Sequence, residues 1–118
     1  MSHRVTDHFD DAAFNRQTGG DRALALEILH LFLEECPLRV AAIRAAVQQG
    51  DAQGIRAAAH RLKGSASYLR AAFVVDAAAR LELIGHEGRL ADAAAALEQL
   101  DSAVAQLMPE LQRATLTP

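Results

Sequence analysis

Apolar residues recur along this chain at intervals of three and four, the spacing that gathers them on one side of an α-helix, and no stretch alternates as a strand would. The clearest series is Ile55, Ala59, Leu62, Ala66 and Leu69. Preceded by Asp51 as an N-cap, it predicts a helix over 52–70. Upstream, an apolar-rich run lies between Gly19-Gly20-Asp21 and Gly50-Asp51, so a helix over 21–49 is expected, capped by Asp21 and ended by Gly50. Pro37 inside it removes a backbone hydrogen bond and crowds the preceding turn, which calls for either a kink or a break. Its buried side is expected to hold Leu24, Ile28, Leu29, Leu31, Phe32, Cys36, Val40, Ile43 and Val47, and Leu26 and Leu33 widen that side beyond one stripe. Either the N-terminal segment, through Phe9 and Phe14, or a docking partner should cover the excess. A third helix over 72–85 buries Val74, Ala77, Ala78, Leu81 and Ile84 and ends in a turn marked by Gly85 and Gly88. A fourth over 90–113 runs through Leu97, Leu100, Val104, Leu107 and Leu111, with Pro109 a second kink site and residues 115–118 expected to fray. Long helices joined by short connections favour antiparallel neighbours. The expected fold is all-α: an antiparallel up-down-up-down four-helix bundle with a short N-terminal helical segment, one domain over 1–118 with its core between about 9 and 113.

Composition narrows this picture. A chain of 118 residues can bury one core without cross-links. Hydrophobic residues make up 51% of it and aromatics 4%, so Ala, the best helix former, carries much of the apolar content. Cys36 is the only cysteine, which excludes an intramolecular disulfide and a four-cysteine zinc site and suits a reducing compartment. It is expected to be a small core residue. No window approaches the ~20 apolar residues of a membrane span, and the opening MSHRVTDHFDD lacks the apolar stretch of a leader, so a cytoplasmic protein without membrane association is expected. From an initiating Met and a complete set of bundle helices, a free-standing protein is expected rather than a segment of a larger one. Net charge is −3 and the twelve Lys and Arg are scattered, which argues against a nucleic-acid partner. His3, His8, His30 and His86 form no i, i+4 pair, and Glu27-Ile28-Leu29-His30 is the single Glu-x-x-His match, so no metal site is expected. No Gly-x-Ser-x-Gly elbow frames Ser65 or Ser67, which sets hydrolase chemistry aside.

Candidate chemistry gathers on the 52–70 helix. With Ile55 at zero on a wheel of about 100° per residue, Leu62, Ala66 and Leu69 stay within roughly 40° of it, whereas His60 falls at roughly 140°. Arg56, Lys63, Gly64 and Ser67 share that outward side. Gly64 lies one turn beyond His60 in mid-helix, where Gly costs about 1 kcal/mol relative to Ala. A missing side chain there leaves room for a bulky group on the imidazole or for another protein's loop. Lys63 places a cation beside any anion formed on the ring, and Ser65 and Ser67 offer hydroxyl donors. These are the features of a histidine that accepts a phosphoryl group, with Arg56, Gly64, Ser65, Ser67 and Arg70 as candidate partner-docking positions.

The run His60-Arg61-Leu62-Lys63-Gly64-Ser65-Ala66 resembles the signature of the histidine-containing phosphotransfer (HPt) domain family, in which Lys and Gly follow a phosphorylated His at the third and fourth positions. Gly19-Gly20-Asp21, the run from Phe32 to Pro37, Gly50-Asp51 and Ala79-Arg80-Leu81-Glu82 extend the resemblance to roughly residues 9 to 113. It implies one long kinked helix around Pro37. It also implies reversible exchange of a phosphoryl group with the receiver domain of a response regulator or a hybrid sensor histidine kinase, with His60 as phosphoacceptor and Lys63 stabilising charge. The chain would act as a monomeric phosphocarrier without a catalytic centre or a cofactor of its own, the Mg²⁺ residing on the receiver. No nucleotide-binding Gly-rich loop is present to make it a kinase. The family often has Gly near the end of the histidine helix where this chain has Arg70, which leaves that helix end and its charge open. The competing expectation is a helical adaptor that binds a receiver or sensor kinase and is never phosphorylated.

Overall fold

The computed structural model describes residues 8–116; residues 1–7, which include His3, and residues 117–118 of the tail lie outside it. Every regular element is helical among the described residues: α1 (Asp11–Gln17), α2 (Arg22–Gln48), α3 (Ala52–Tyr68), α4 (Ala72–Glu87), a 3₁₀ turn (Leu90–Asp92) and α5 (Ala93–Leu116). Three helices start on aspartate caps. Asp10 accepts from the Ala13 amide at 3.0 Å, Asp21 from Leu24 at 3.1 Å and Asp51 from Gly54 at 2.9 Å, each satisfying a donor that the first turn leaves orphaned, at about 1 kcal/mol apiece. α2 continues through Pro37 as one helix, so the break is not what occurs.

The four long helices pack as a ring, α2 against α3, α3 against α4, α4 against α5 and α5 against α2. The α3 stripe is buried as its spacing predicts: Ile55, Ala59, Leu62, Ala66 and Leu69. On α2 the core is narrower than expected. Ala25, Leu29, Phe32, Cys36, Val40, Ile43 and Ala46 are buried, but Leu24 and Leu31 are 39% and 53% exposed. Each immediately precedes a core residue, Ala25 or Phe32, and is therefore turned about 100° away from it. Leu26 and Leu33, each just after those core residues, are half-buried on the opposite flank. Phe9 and Phe14 are both buried, their rings 5.6 Å apart, and the N-terminal segment is tied to α5 where the Glu110 carboxylate accepts from the amides of His8 and Phe9. Cys36 is fully buried, and burial pushes its thiol up to about 11.

Helix ends account for the remaining differences. α2 and α4 close in Schellman turns with glycine in the left-handed position, Gly50 (φ 64) and Gly88 (φ 71). α3 closes in the same way, the Ala71 amide donating to the Ala66 carbonyl and the Arg70 amide to that of Ser67, but here the left-handed residue is Arg70 (φ 62). The helix expected to reach residue 70 thus stops at Tyr68. Gly85, expected in a turn, lies inside α4 against α3. A Cβ there would sit 2.6 Å from the Arg56 amide nitrogen and 2.7 Å from the Ala52 carbonyl oxygen, so Gly85 allows two backbones to touch and α4 runs on to Glu87. The last α-helix begins at Ala93 after the 3₁₀ turn, rather than at Leu90.

Two expected outcomes follow from these backbones. Arg70→Gly removes a left-handed side-chain clash and should raise stability by about 1 kcal/mol, read as a higher urea midpoint at unchanged slope. Gly85→Ala should lower stability by about 2 kcal/mol, read as a lower urea midpoint, despite the better helix propensity of Ala, because its methyl must push α3 and α4 apart.

Candidate functional site

Burial of Ile55, Ala59, Leu62 and Ala66 fixes the rotation of α3, and with it the direction of everything on the opposite side. His60 is turned outward, its side chain 67% exposed. One turn further on, a Cβ added to Gly64 would find nothing within 4 Å, in contrast to Gly85. The space beside the imidazole is open, and packing within the chain does not require the glycine.

The neighbour that sequence spacing did not single out is Glu82, supplied by α4. Its Oε2 lies 2.8 Å from His60 Nδ1 and its Oε1 lies 2.6 Å from Lys63 Nζ, so one carboxylate bridges both residues. The hydrogen bond from Lys63 holds the Glu82 carboxyl below its ordinary value, against a smaller opposing effect of burial, and His60 adds to the lowering. Glu82 is therefore ionised at neutral pH and has only lone pairs to offer. The short contact then requires the proton on Nδ1. In the neutral ring this leaves the Nε2 lone pair directed away from α4, toward solvent. Twenty-two positions separate His60 from Glu82, and only the α3–α4 packing joins them. The run Ala79-Arg80-Leu81-Glu82 was legible as a family element, but nothing in its spacing marked the carboxylate as a partner of the imidazole.

Lys63, expected as a cation beside any anion formed on the ring, is paired with Glu82. Arg56 and Arg61 flank His60, and with Gln53, Ala57 and Glu82 they line a shallow depression around it. On the α2 side a second groove is lined by Leu38, Ala42, Ala58 and Arg61 beside the Glu35–Arg39 ion pair. The other candidates stand apart. Ser65 turns its hydroxyl back to the Arg61 carbonyl at 3.4 Å. Ser67 is exposed two turns away, about 10 Å along the axis, and Arg70 is farther still at the α3–α4 connection. The structure thus brings together His60, Lys63, Gly64 and Arg56, adds Glu82 and Arg61, and places Ser67 farther along α3 and Arg70 beyond its end. No cluster of three His, Cys, Asp or Glu suited to a metal occurs among the described residues, and no helix there is long and apolar enough to cross a membrane.

Comparison with known proteins bears on the fold and the family. A family model of the Hpt domain matches residues 27–110, a span that contains all of α3 and α4. The crystal structure of histidine-containing phosphotransfer protein B (HptB) from Pseudomonas aeruginosa PAO1 resembles this one with a TM-score of 0.87 at 27% sequence identity, covering 92% of this chain and 95% of that chain. No significant match was found among curated protein sequences. Matched by the family model over most of its length, and sharing its helical architecture with a histidine phosphotransfer protein, this chain belongs to the Hpt domain family.

Proposed function

We propose that the chain is a phosphocarrier in a two-component phosphorelay, taking a phosphoryl group on His60 from a receiver-domain aspartate and passing it to another receiver. The observation that carries this reading is the exposed imidazole whose Nδ1 is engaged by Glu82, leaving Nε2 outward. In transfer, the Nε2 lone pair attacks phosphorus, an N–P bond forms, and the P–O bond of the aspartyl phosphate breaks with its electron pair returning to the aspartate. The Nδ1 proton stays in place throughout. Ring charge that develops as the N–P bond forms is offset by the Glu82 carboxylate, and in the reverse direction the protonated Nδ1 makes the imidazole a better leaving group. Lys63 is within reach of the same locus and can exchange Glu82 for phosphoryl oxygens. Phosphoryl transfer depends on position and charge more than on covalent help, and the receiver brings the acidic pocket and Mg²⁺.

The α2–α3 groove with Leu38 and Ala42 gives a receiver apolar surface beside His60, and the open space at Gly64 lets its loops approach. We read the ring of helices as an up-down-up-down bundle, since connections of a few residues join its members, and the protein as working in one copy, since His60, Lys63 and Glu82 come from one chain.

Incubation with a phosphorylated receiver should give acid-labile label on the wild-type protein and none on His60→Gln. Label persisting in the variant would move the acceptor elsewhere, and an unlabelled wild type with every receiver of its genome would favour the adaptor. Glu82→Ala should slow transfer by roughly tenfold or more, because the ring loses its orientation, and Lys63→Ala should slow it while leaving the circular dichroism spectrum unchanged. The pH dependence has a definite sign. Folding lowers the Glu82 pKa, so its contribution to stability is complete above the unfolded-chain value and is lost as pH falls through the native one. Glu82→Gln should therefore flatten the acid limb of a stability–pH curve and leave its neutral region parallel to wild type.

A further inference from the structure

Charge on α3 is one-sided. The helix AQGIRAAAHRLKGSASY contains Arg56, Arg61 and Lys63 and no acidic residue, in a chain with fifteen Asp and Glu against twelve Lys and Arg. Lys63 is neutralised by Glu82. Elsewhere Arg39 pairs with Glu35, Arg44 with Asp101, and Arg89 with Glu87 and Asp92. Arg56 and Arg61 are exposed and, like Arg16, Arg70 and Arg80, have no ion pair among the described residues, but these two alone border His60. Their positions are not equivalent. Arg56, four residues before His60, lies toward α4 in the groove with Lys63, Glu82 and His86, whereas Arg61 turns toward α2 and faces Leu38 and Ala42. The imidazole sits between two uncompensated guanidinium groups.

The geometry points to Arg56 and Arg61 as specificity determinants for the transfer partner: together they select a receiver carrying carboxylates on both sides of its phosphoaspartate pocket, and they act on encounter rather than on the transfer step. The inference rests on the phosphorelay reading above and adds the chemistry of the partner. Neither guanidinium is needed to orient His60, which Glu82 does, and neither is paired with a charge among the described residues. Exposed, unpaired cations around a docking point raise association rates with an anionic surface and lose that advantage as salt screens them. Arginine suits the role because its planar fork can meet a carboxylate with two parallel hydrogen bonds. Two cations are too few for the phosphate track that a nucleic acid would need.

Two measurements keep this inference separable from the phosphorelay reading. Association of a receiver domain with the His60→Gln protein, followed by stopped flow, reports docking without chemistry, and transfer from the phosphorylated receiver to proteins with His60 intact reports both. Arg56→Ala/Arg61→Ala should lower the association rate and raise the half-saturating receiver concentration, each by about tenfold at low salt, with the difference vanishing near 0.5 M salt and the single-turnover rate at saturating receiver changing by less than either. Lys at both positions should restore most of the association rate, and Glu at both should invert its salt dependence. Identical salt profiles for wild type and the double alanine variant would overturn the inference while leaving the carrier reading intact. So would a loss confined to the saturating transfer rate. Salt-dependent docking with no label on His60 would instead overturn the carrier reading and keep the assignment of an acidic partner.

Discussion

The site depends on the close approach of α3 and α4. Gly85 lets the α4 backbone rest on that of α3 at Ala52 and Arg56. One turn along each helix from that contact, His60 on α3 meets Glu82 on α4. The two pairs run in opposite senses, forward on α3 from Arg56 to His60 and backward on α4 from Gly85 to Glu82, so a backbone contact in the interior sets a side-chain distance at the surface. A carboxylate is short, and spreading the helices by an ångström would cost it either the imidazole or the ammonium. Orientation of a reactive nitrogen is thus a packing property of the bundle rather than a property of the signature run.

This explains which parts of the molecule could be read from sequence. Periodicity captured α3 to the residue on its buried face, because Ile55, Ala59, Leu62, Ala66 and Leu69 form a stripe with no competing apolar side. It overestimated α2, where leucines occur all around the helix and only packing decides that Phe32 is inside and Leu31 outside. Glycines were ambiguous for the same reason. Gly88 ends a helix, Gly85 lets two helices touch, and the symbol is the same in both cases. His60, Lys63 and Gly64 were legible because one helix carries all three. Glu82 was not, since its relation to them exists only across two helices, and Arg70 could be seen as a departure but not as a left-handed residue.

Electrostatics around His60 divide into an inner and an outer set. The inner set, Glu82 with Lys63 and the Nδ1 proton, is compensated within the chain and short in every contact. The outer set, Arg56 and Arg61, is uncompensated and exposed. Charges that cancel locally hold geometry and project little field, while unpaired ones project a field and hold no geometry. Compensated and uncompensated charge around His60 are therefore carried by different residues, with Glu82 contributed from α4.

The emptiness beside Gly64 also bears on time. His60 has a floor, formed by α3, and one wall, formed by Glu82; the rest of any enclosure must come from another molecule. Until that molecule arrives, water has the same access to the ring as the partner does. Under the proposed function a phosphoryl group on His60 would have no shelter from this chain on its open side, so the interval over which the message survives would be set by hydrolysis of the N–P bond in water.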